Sequence, residues 1–370
     1  MTRDIFKDYI QAIRPYEPGK PIKEVERELG LRHLIKLASN ENPLGPSGKA
    51  LRAMRRAIRE AHLYPESTAH YLVERLAVEH DVKTNQILVG NGSNEILELL
   101  ARGFLSPGDE VVSSETSFLV YPILSQACGA KYVGVPMASG YRYDLEAMVQ
   151  AITEKTRIVF IANPNNPTGT YVTTAELEAF LAKVPQNVIV CIDEAYINFV
   201  EAEDFPDALS YVEKSRPNLI VMRTFSKAYG LAGLRVGYAV ANEQLISYLH
   251  KIRQPFNVNS IAQAAATAAL DDRFFIWRTK HLVSRGRRFF YKHFKQLGLE
   301  YLPSQANFVL VKTGCDGNDV FQSLLKVGII IRSMKAYGLD TWIRVTVGRR
   351  SQNSLFLRSL RECLKRTDPK

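Results

Sequence analysis

Cysteine is scarce and scattered: Cys128, Cys191, Cys315 and Cys363 are the only four in 370 residues, and no CxxC pair occurs. Neither a disulfide framework nor a cysteine zinc site is therefore expected. No two of the seven histidines stand at i, i+4, so the helix-borne metal pair is missing too, and no metal is expected. No apolar run approaches the ~18 residues of a membrane span. The charged opening MTRDIFKDYI is unlike a signal peptide, so a reducing cytoplasm is the expected compartment. A basic block is lacking as well. The formal charge of +10 comes from 48 scattered Lys and Arg, in nothing longer than pairs such as Arg55–Arg56 and Arg287–Arg288. That scatter speaks against a nucleic-acid or membrane partner and for small anionic ligands.

What is present is a rhythm. Short apolar runs alternate with stretches of helical periodicity: QILVG (86–90), RIVFIA, NVIVCID, NLIVM and RVGYAV. Near-continuous apolar strands between helices read as a mostly parallel sheet covered on both faces. The chain exceeds the size at which one core stops growing, so two packed units are expected. The expected division is an extended N-terminal arm over 1–34, an α/β large unit over 35–250, and a smaller α+β unit over 251–370. The last contains ANFVLVKT, GIIIRS and TWIRVTVG.

In an open parallel sheet, ligands gather at the carboxyl ends of strands. Four chemistry-bearing segments stand there. GNGSNE places Gly92, Ser93 and Asn94 after ILV and at a helix start, where free N–H groups attract phosphate; a capped helix after a glycine turn is the plainer reading. NPNNPTG (163–169) carries three asparagines and serves either as an ordered turn or as a source of side-chain donors, including Asn166. DEAY puts Asp193 and Tyr196 past a buried strand. An acid there needs a cation or several donors, so it is either half of a structural ion pair or the holder of a protonated ring nitrogen. TFSKAYGLAGLRVG brings Thr224, Ser226, Lys227 and Arg235 within twelve positions. Phosphate donors, an acid for a pyridinium, an asparagine and a phenol for a ring hydroxyl, and an imine-forming lysine describe one ligand, pyridoxal 5′-phosphate.

NPNNPTG, DEAY and TFSKAYGLAGLRVG resemble the fold type I aminotransferases of class I/II. IRPYEPGKPIKEVERELG and KLASNENPLGPS look like the histidinol-phosphate aminotransferase branch, and the similarity runs from about Ile13 to Gly348. The resemblance implies that Lys227 bonds to the cofactor, Asp193 pairs with its ring nitrogen, and Asn166 and Tyr196 donate to its ring oxygen. It further implies a phosphate cup of Gly92, Ser93, Asn94, Ser226 and Arg235, beside which Thr224 is a further candidate cofactor contact. Phe118, in ETSFLVYP, stands where the family usually has a stacking tyrosine. Tyr64, in LYPES, resembles a tyrosine that reaches the neighbouring subunit's cofactor, which implies a homodimer with shared sites. Arg344 and Arg332 resemble substrate-anion arginines, with Tyr16 of the arm as a helper; the plainer role for Arg332 is a salt bridge at a strand end.

The implied activity is transfer of an amino group from histidinol phosphate to 2-oxoglutarate, in ping-pong order, for histidine biosynthesis. An aromatic amino-acid aminotransferase stays open because phenyl and imidazole need similarly flat pockets. A threonine-phosphate decarboxylase fits the N-terminal stretch less well. A ligand-sensing regulator needs a DNA-binding module for which the arm is too short.

Overall fold

The computed structural model describes residues 7–31, 34–213 and 216–367. The first six residues of the expected arm, Arg32–His33 within it, and the last three of the small unit lie outside the described residues.

Among the described residues, thirteen strands form three sheets. Strand β1 (Ile35–Lys36) comes first. The large sheet contains β2 (Ile87–Gly90), β3 (Glu110–Ser114), β4 (Lys131–Val135), β5 (Thr156–Ala162), β6 (Ile189–Asp193), β7 (Leu219–Thr224) and β8 (Gly237–Ala241). Their spatial order is β2-β8-β7-β6-β5-β3-β4, parallel throughout except for β8, which runs against both neighbours. The continuous apolar runs follow from burial on both faces. Val159, Ile161, Val190, Ile192 and Val221 join one core, while Ile158, Phe160, Cys191, Ile220 and Met222 join the other. Alternate residues of each strand thus feed opposite cores, as pleating requires.

The small unit is built on an antiparallel sheet of β9 (Tyr301–Leu302), β10 (Phe308–Lys312), β12 (Arg332–Ser333) and β13 (Trp342–Thr346), in the order β12-β13-β10-β9. Helices Arg273–Gln296 and Arg350–Thr367 cover it, with Phe290, Phe294, Phe356 and Leu360 buried beneath them. A large unit with a mostly parallel sheet and a smaller α+β unit is the architecture expected from the sequence.

Packing across the expected boundaries suggests a different division. Helix Ser260–Leu270 packs on helices Gly48–Ala57 and His70–His80, and its Ala262, Ala265, Ala266 and Ala269 lie in the large unit's core. Small side chains let that helix approach closely, so packing rather than chain order assigns it, and we propose that the large unit extends to about residue 270. At the other boundary, β1 pairs with β11 (Ile329–Ile330), and Leu37 joins the small unit's core. The segment 35–40 therefore stitches the two units together.

Candidate active site

The carboxyl ends of β2, β5, β6 and β7 share one edge of the large sheet, and a cleft of about 250 Å³ opens there against the small unit. All the expected site residues except Gly92 and Tyr64 line it.

At one end lie a helix N-terminus, Ser226 and Arg235, the residues expected to form an anion cup. Helix Ser93–Phe104 begins behind Gly92, which has φ +78° and offers no side-chain cap, so the first helical N–H groups stay available. Arg235, itself at φ +57°, donates from Nη1 to Ser226 Oγ at 3.3 Å and to the Ala232 carbonyl at 3.0 Å. Gly92 is required by space as well as by backbone: a Cβ there would stand 2.3 Å from Arg235 Nη2. Thr224 Oγ1 receives the Ser226 N–H at 3.1 Å, which fixes the turn from β7 toward Lys227.

The centre of the cleft holds Lys227 and Asp193. Lys227 Nζ donates to the Ser39 carbonyl at 3.1 Å. Burial lowers its pKa to about 8, and the Arg344 guanidinium pushes the same way. Asp193 ends β6; it accepts from Tyr121 Oη at 3.0 Å and from the Ala195 N–H at 3.1 Å. Burial nevertheless raises its carboxyl to about 6, for among the described residues it has no ion-pair partner. The structural ion pair belongs instead to the next residue, Glu194, whose buried carboxylate meets Arg223 at 2.7 Å. Arg223 also reaches His80 Nδ1 at 3.3 Å, and His80 Nε2 lies 2.7 Å from Tyr238 Oη. Burial, reinforced by Arg223, keeps that imidazole neutral with a pKa of about 3. The network ties β6 to β7 from behind, just where Asp193 and Thr224 leave the sheet.

Two donors point at the same region. Tyr196 Oη accepts from Asn40 Nδ2 at 2.9 Å, and its own hydrogen has no protein acceptor among the described residues. Asn166 Oδ1 accepts from Arg344 Nη1, which leaves the amide N–H₂ for the cleft. The other two asparagines of the NPNNPTG loop are spent on the loop itself. Asn163 exchanges bonds with Val172, and Asn165 holds Thr116, Ser117 and Thr168. Phe118 meets Tyr121 edge-on at 5.7 Å.

At the far end, Arg344 on β13 is only 6% exposed yet has no acidic partner among the described residues, and its Nε makes no hydrogen bond. Its guanidinium lies 5.1 Å from the Phe308 ring centre and donates to the Ala38 carbonyl at 2.8 Å. Arg332 on β12 likewise has no salt bridge among the described residues; it donates to the Glu17 carbonyl at 2.6 Å and sits over the Tyr16 ring. Lys227, Arg235, Arg332 and Arg344 face only two carboxylates in the lining, Asp193 and Glu41, an excess of two positive charges. Such a cleft suits anions.

Tyr64 stands elsewhere. It is 84% exposed, stacks on Phe256 at 4.8 Å, and is not among the residues lining this chain's own cleft. The residues that sequence reading passed over are Ser39, Asn40, Glu41 and Tyr121. Asn40 and Glu41 lie within the quoted KLASNENPLGPS, and Tyr121 three places beyond Phe118, but nothing in their spacing marks a ligand site.

A model of the family "Aminotransferase class I and II" matches residues 32–360. The chain belongs to that family. This aminotransferase is 48% identical over 358 residues to a histidinol-phosphate aminotransferase of Moorella thermoacetica, covering 97% of this chain and 92% of that one. It is 49% identical over 363 residues to histidinol-phosphate aminotransferase 1 of Cupriavidus pinatubonensis, covering 97% and 96%. Among solved structures, the histidinol-phosphate aminotransferase of Sinorhizobium meliloti, in complex with pyridoxal-5′-phosphate, superposes with a TM-score of 0.91 at 29% identity, covering 99% of both chains. A Thermus thermophilus aspartate aminotransferase variant shares the aminotransferase's fold, with a TM-score of 0.82 at 24% identity and 98% coverage of both.

Proposed function

We propose that the chain is a pyridoxal 5′-phosphate-dependent transaminase that takes the amino group of histidinol phosphate and passes it to 2-oxoglutarate, in ping-pong order, as a step of histidine biosynthesis. The observation that carries the chemistry is a partly buried lysine with a pKa lowered to about 8 and a buried carboxylate without a salt-bridge partner among the described residues, lining one cleft together with Ser93, Asn94, Ser226 and Arg235. The choice of amino donor is supported by kinship at 48–49% identity over nearly the whole chain.

The residues fit that cofactor. Ser93, Asn94, Thr224, Ser226 and Arg235 would hold its phosphate, with Gly92 leaving room for the guanidinium. Asn166, through its amide N–H₂, and Tyr196, through its hydroxyl, would donate to the ring oxygen, and Asp193 would hold a proton on the ring nitrogen. When bound, the cofactor supplies an aldehyde for covalent attachment and a ring that accepts an electron pair from the substrate carbon. Lys227 would hold the aldehyde covalently, and its free Nζ, with a pKa lowered to about 8, would be neutral often enough near neutral pH to take the substrate proton. Arg344 and Arg332 are free to bind the phosphate of one substrate and the carboxylates of the other, since a guanidinium forms paired charge-assisted bonds with either. Phe118 would stack on the ring without offering a hydroxyl.

We further propose a cytoplasmic homodimer in which Tyr64 serves the neighbouring subunit's cup, because it is exposed and does not line its own cleft. Among the described residues, no helix is long and apolar enough to cross a membrane.

Borohydride reduction of the cofactor-loaded protein followed by peptide mapping is expected to label Lys227, and histidinol phosphate to bleach the visible absorbance faster than phenylalanine or threonine phosphate. An unlabelled Lys227, or substantial transamination by Lys227→Ala, refutes the chemistry. A preference for phenylalanine refutes the donor.

A further inference from the structure

The segment SNENP holds an acid in a cleft otherwise suited to anions. Glu41 and Asp193 are the two carboxylates of the lining, and Asp193 is committed to the ring end. The neighbours of Glu41 are both locked into the protein. Asn40 donates from Nδ2 to Tyr196, receives Thr346 Oγ1 on Oδ1 at 3.1 Å, and receives Asn307 Nδ2 on its carbonyl at 2.9 Å. Asn42 donates to the Ala228 carbonyl at 2.8 Å and to Thr279 Oγ1 at 3.2 Å. With Asn40 and Asn42 both drawn into the protein, Glu41 between them is left on the cleft side. Its Oε1 meets Lys36 Nζ at 2.9 Å; its Oε2 has no hydrogen bond among the described residues.

A carboxylate near bound phosphate or carboxylate groups is unfavourable unless a donor or cation faces it. Lys36 satisfies one oxygen. We propose that Glu41 Oε2 accepts the ring N–H of the imidazole-bearing amino donor and so selects histidinol phosphate against donors with a plain phenyl ring. The inference rests on the donor proposed above and deepens it. A site built around an N–H acceptor disfavours an analogue without that N–H, because the acceptor is then desolvated and unpaired.

Comparing kcat/KM for histidinol phosphate, phenylalanine and glutamate in wild type, Glu41→Ala, Glu41→Gln and Lys36→Met tests this. Glu41→Ala is expected to lose about 10- to 100-fold toward histidinol phosphate, mainly through KM, while phenylalanine holds steady or gains and glutamate changes far less. Glu41→Gln, which keeps an acceptor without the charge, should fall between. Lys36→Met should preserve the discrimination ratio. Calorimetric binding of histidinol phosphate to Lys227→Ala, with and without Glu41→Ala, should show the same loss without turnover. An equal loss toward all three donors in Glu41→Ala, or its reproduction by Lys36→Met, assigns Glu41 to loop structure and overturns the inference, as does no loss at all. A wild type inactive on histidinol phosphate sinks the donor assignment instead, before any variant is compared.

Discussion

Replacing Gly92 with alanine probes the anion cup through a single methyl group. Two effects follow, and they fall on different measurements. The residue sits at φ +78°, so an L side chain there brings strain of about 1–2 kcal/mol, felt as lost folding stability. The new Cβ also meets Arg235 Nη2 at 2.3 Å and Cζ at 3.0 Å. Because the clash is with the far end of a flexible side chain, the fold survives and the guanidinium swings away. Its bonds to Ser226 and the Ala232 carbonyl go with it. A charge-assisted hydrogen bond contributes about 1.5–3 kcal/mol, so cofactor affinity should fall about 10- to 150-fold at 1.4 kcal/mol per decade. Spectrophotometric titration of the cofactor-free protein with pyridoxal phosphate reads the binding effect, and thermal unfolding of the same sample reads the strain. Gly92→Ala combined with Arg235→Gln should weaken binding little more than Arg235→Gln alone, since both act through one guanidinium. A folded Gly92→Ala protein that binds cofactor within twofold of wild type would refute the assignment of Arg235 to the cup.

Asp193→Asn should separate function from stability. The folded carboxyl titrates near 6 against 3.8 for the free group, so in the cofactor-free protein its favourable contribution is full below 3.8 and lost as pH rises through 6. At roughly 1.4 kcal/mol per pKa unit, the variant's cofactor-free form should exceed wild type by up to about 3 kcal/mol at pH 7.5, with a smaller margin at pH 5, while binding cofactor more weakly. A pH-independent stability difference would count against an unpaired buried charge. For the shared site, Lys227→Ala and Tyr64→Ala subunits, each weakly active alone, are unfolded together and refolded. Random pairing gives half hybrids with one intact site each, so about a quarter of wild-type activity should return; activity no higher than the parents' mean argues against sharing.

Much of the site was legible because its chemistry sits at strand ends. GNGSNE, NPNNPTG, DEAY and TFSK each follow a buried apolar run, and a parallel sheet necessarily delivers such segments to one edge. Periodicity alone was less informative where packing decides. The alanine-rich helix 260–270 reads as a generic helix, and only its approach to helices 48–57 and 70–80 assigns it to the large unit. Nor does composition separate Asn166 from Asn163 and Asn165, or Asp193 from Glu194. Each pair differs in which way the chain turns its side chains.

The sequence by itself pointed to the mostly parallel sheet and to the four segments proposed to bind the ligand, because these depend on local patterning and on the direction in which strands run. The tertiary structure alone decided which charges are left unpaired. Arg344 beside Asn166 spans 178 positions, Asn40 beside Thr346 spans 306, and Glu41 faces the cleft only because both of its neighbours are pinned elsewhere. Contacts at such separations are products of how two domains close on one another, and a linear pattern carries no record of that closure.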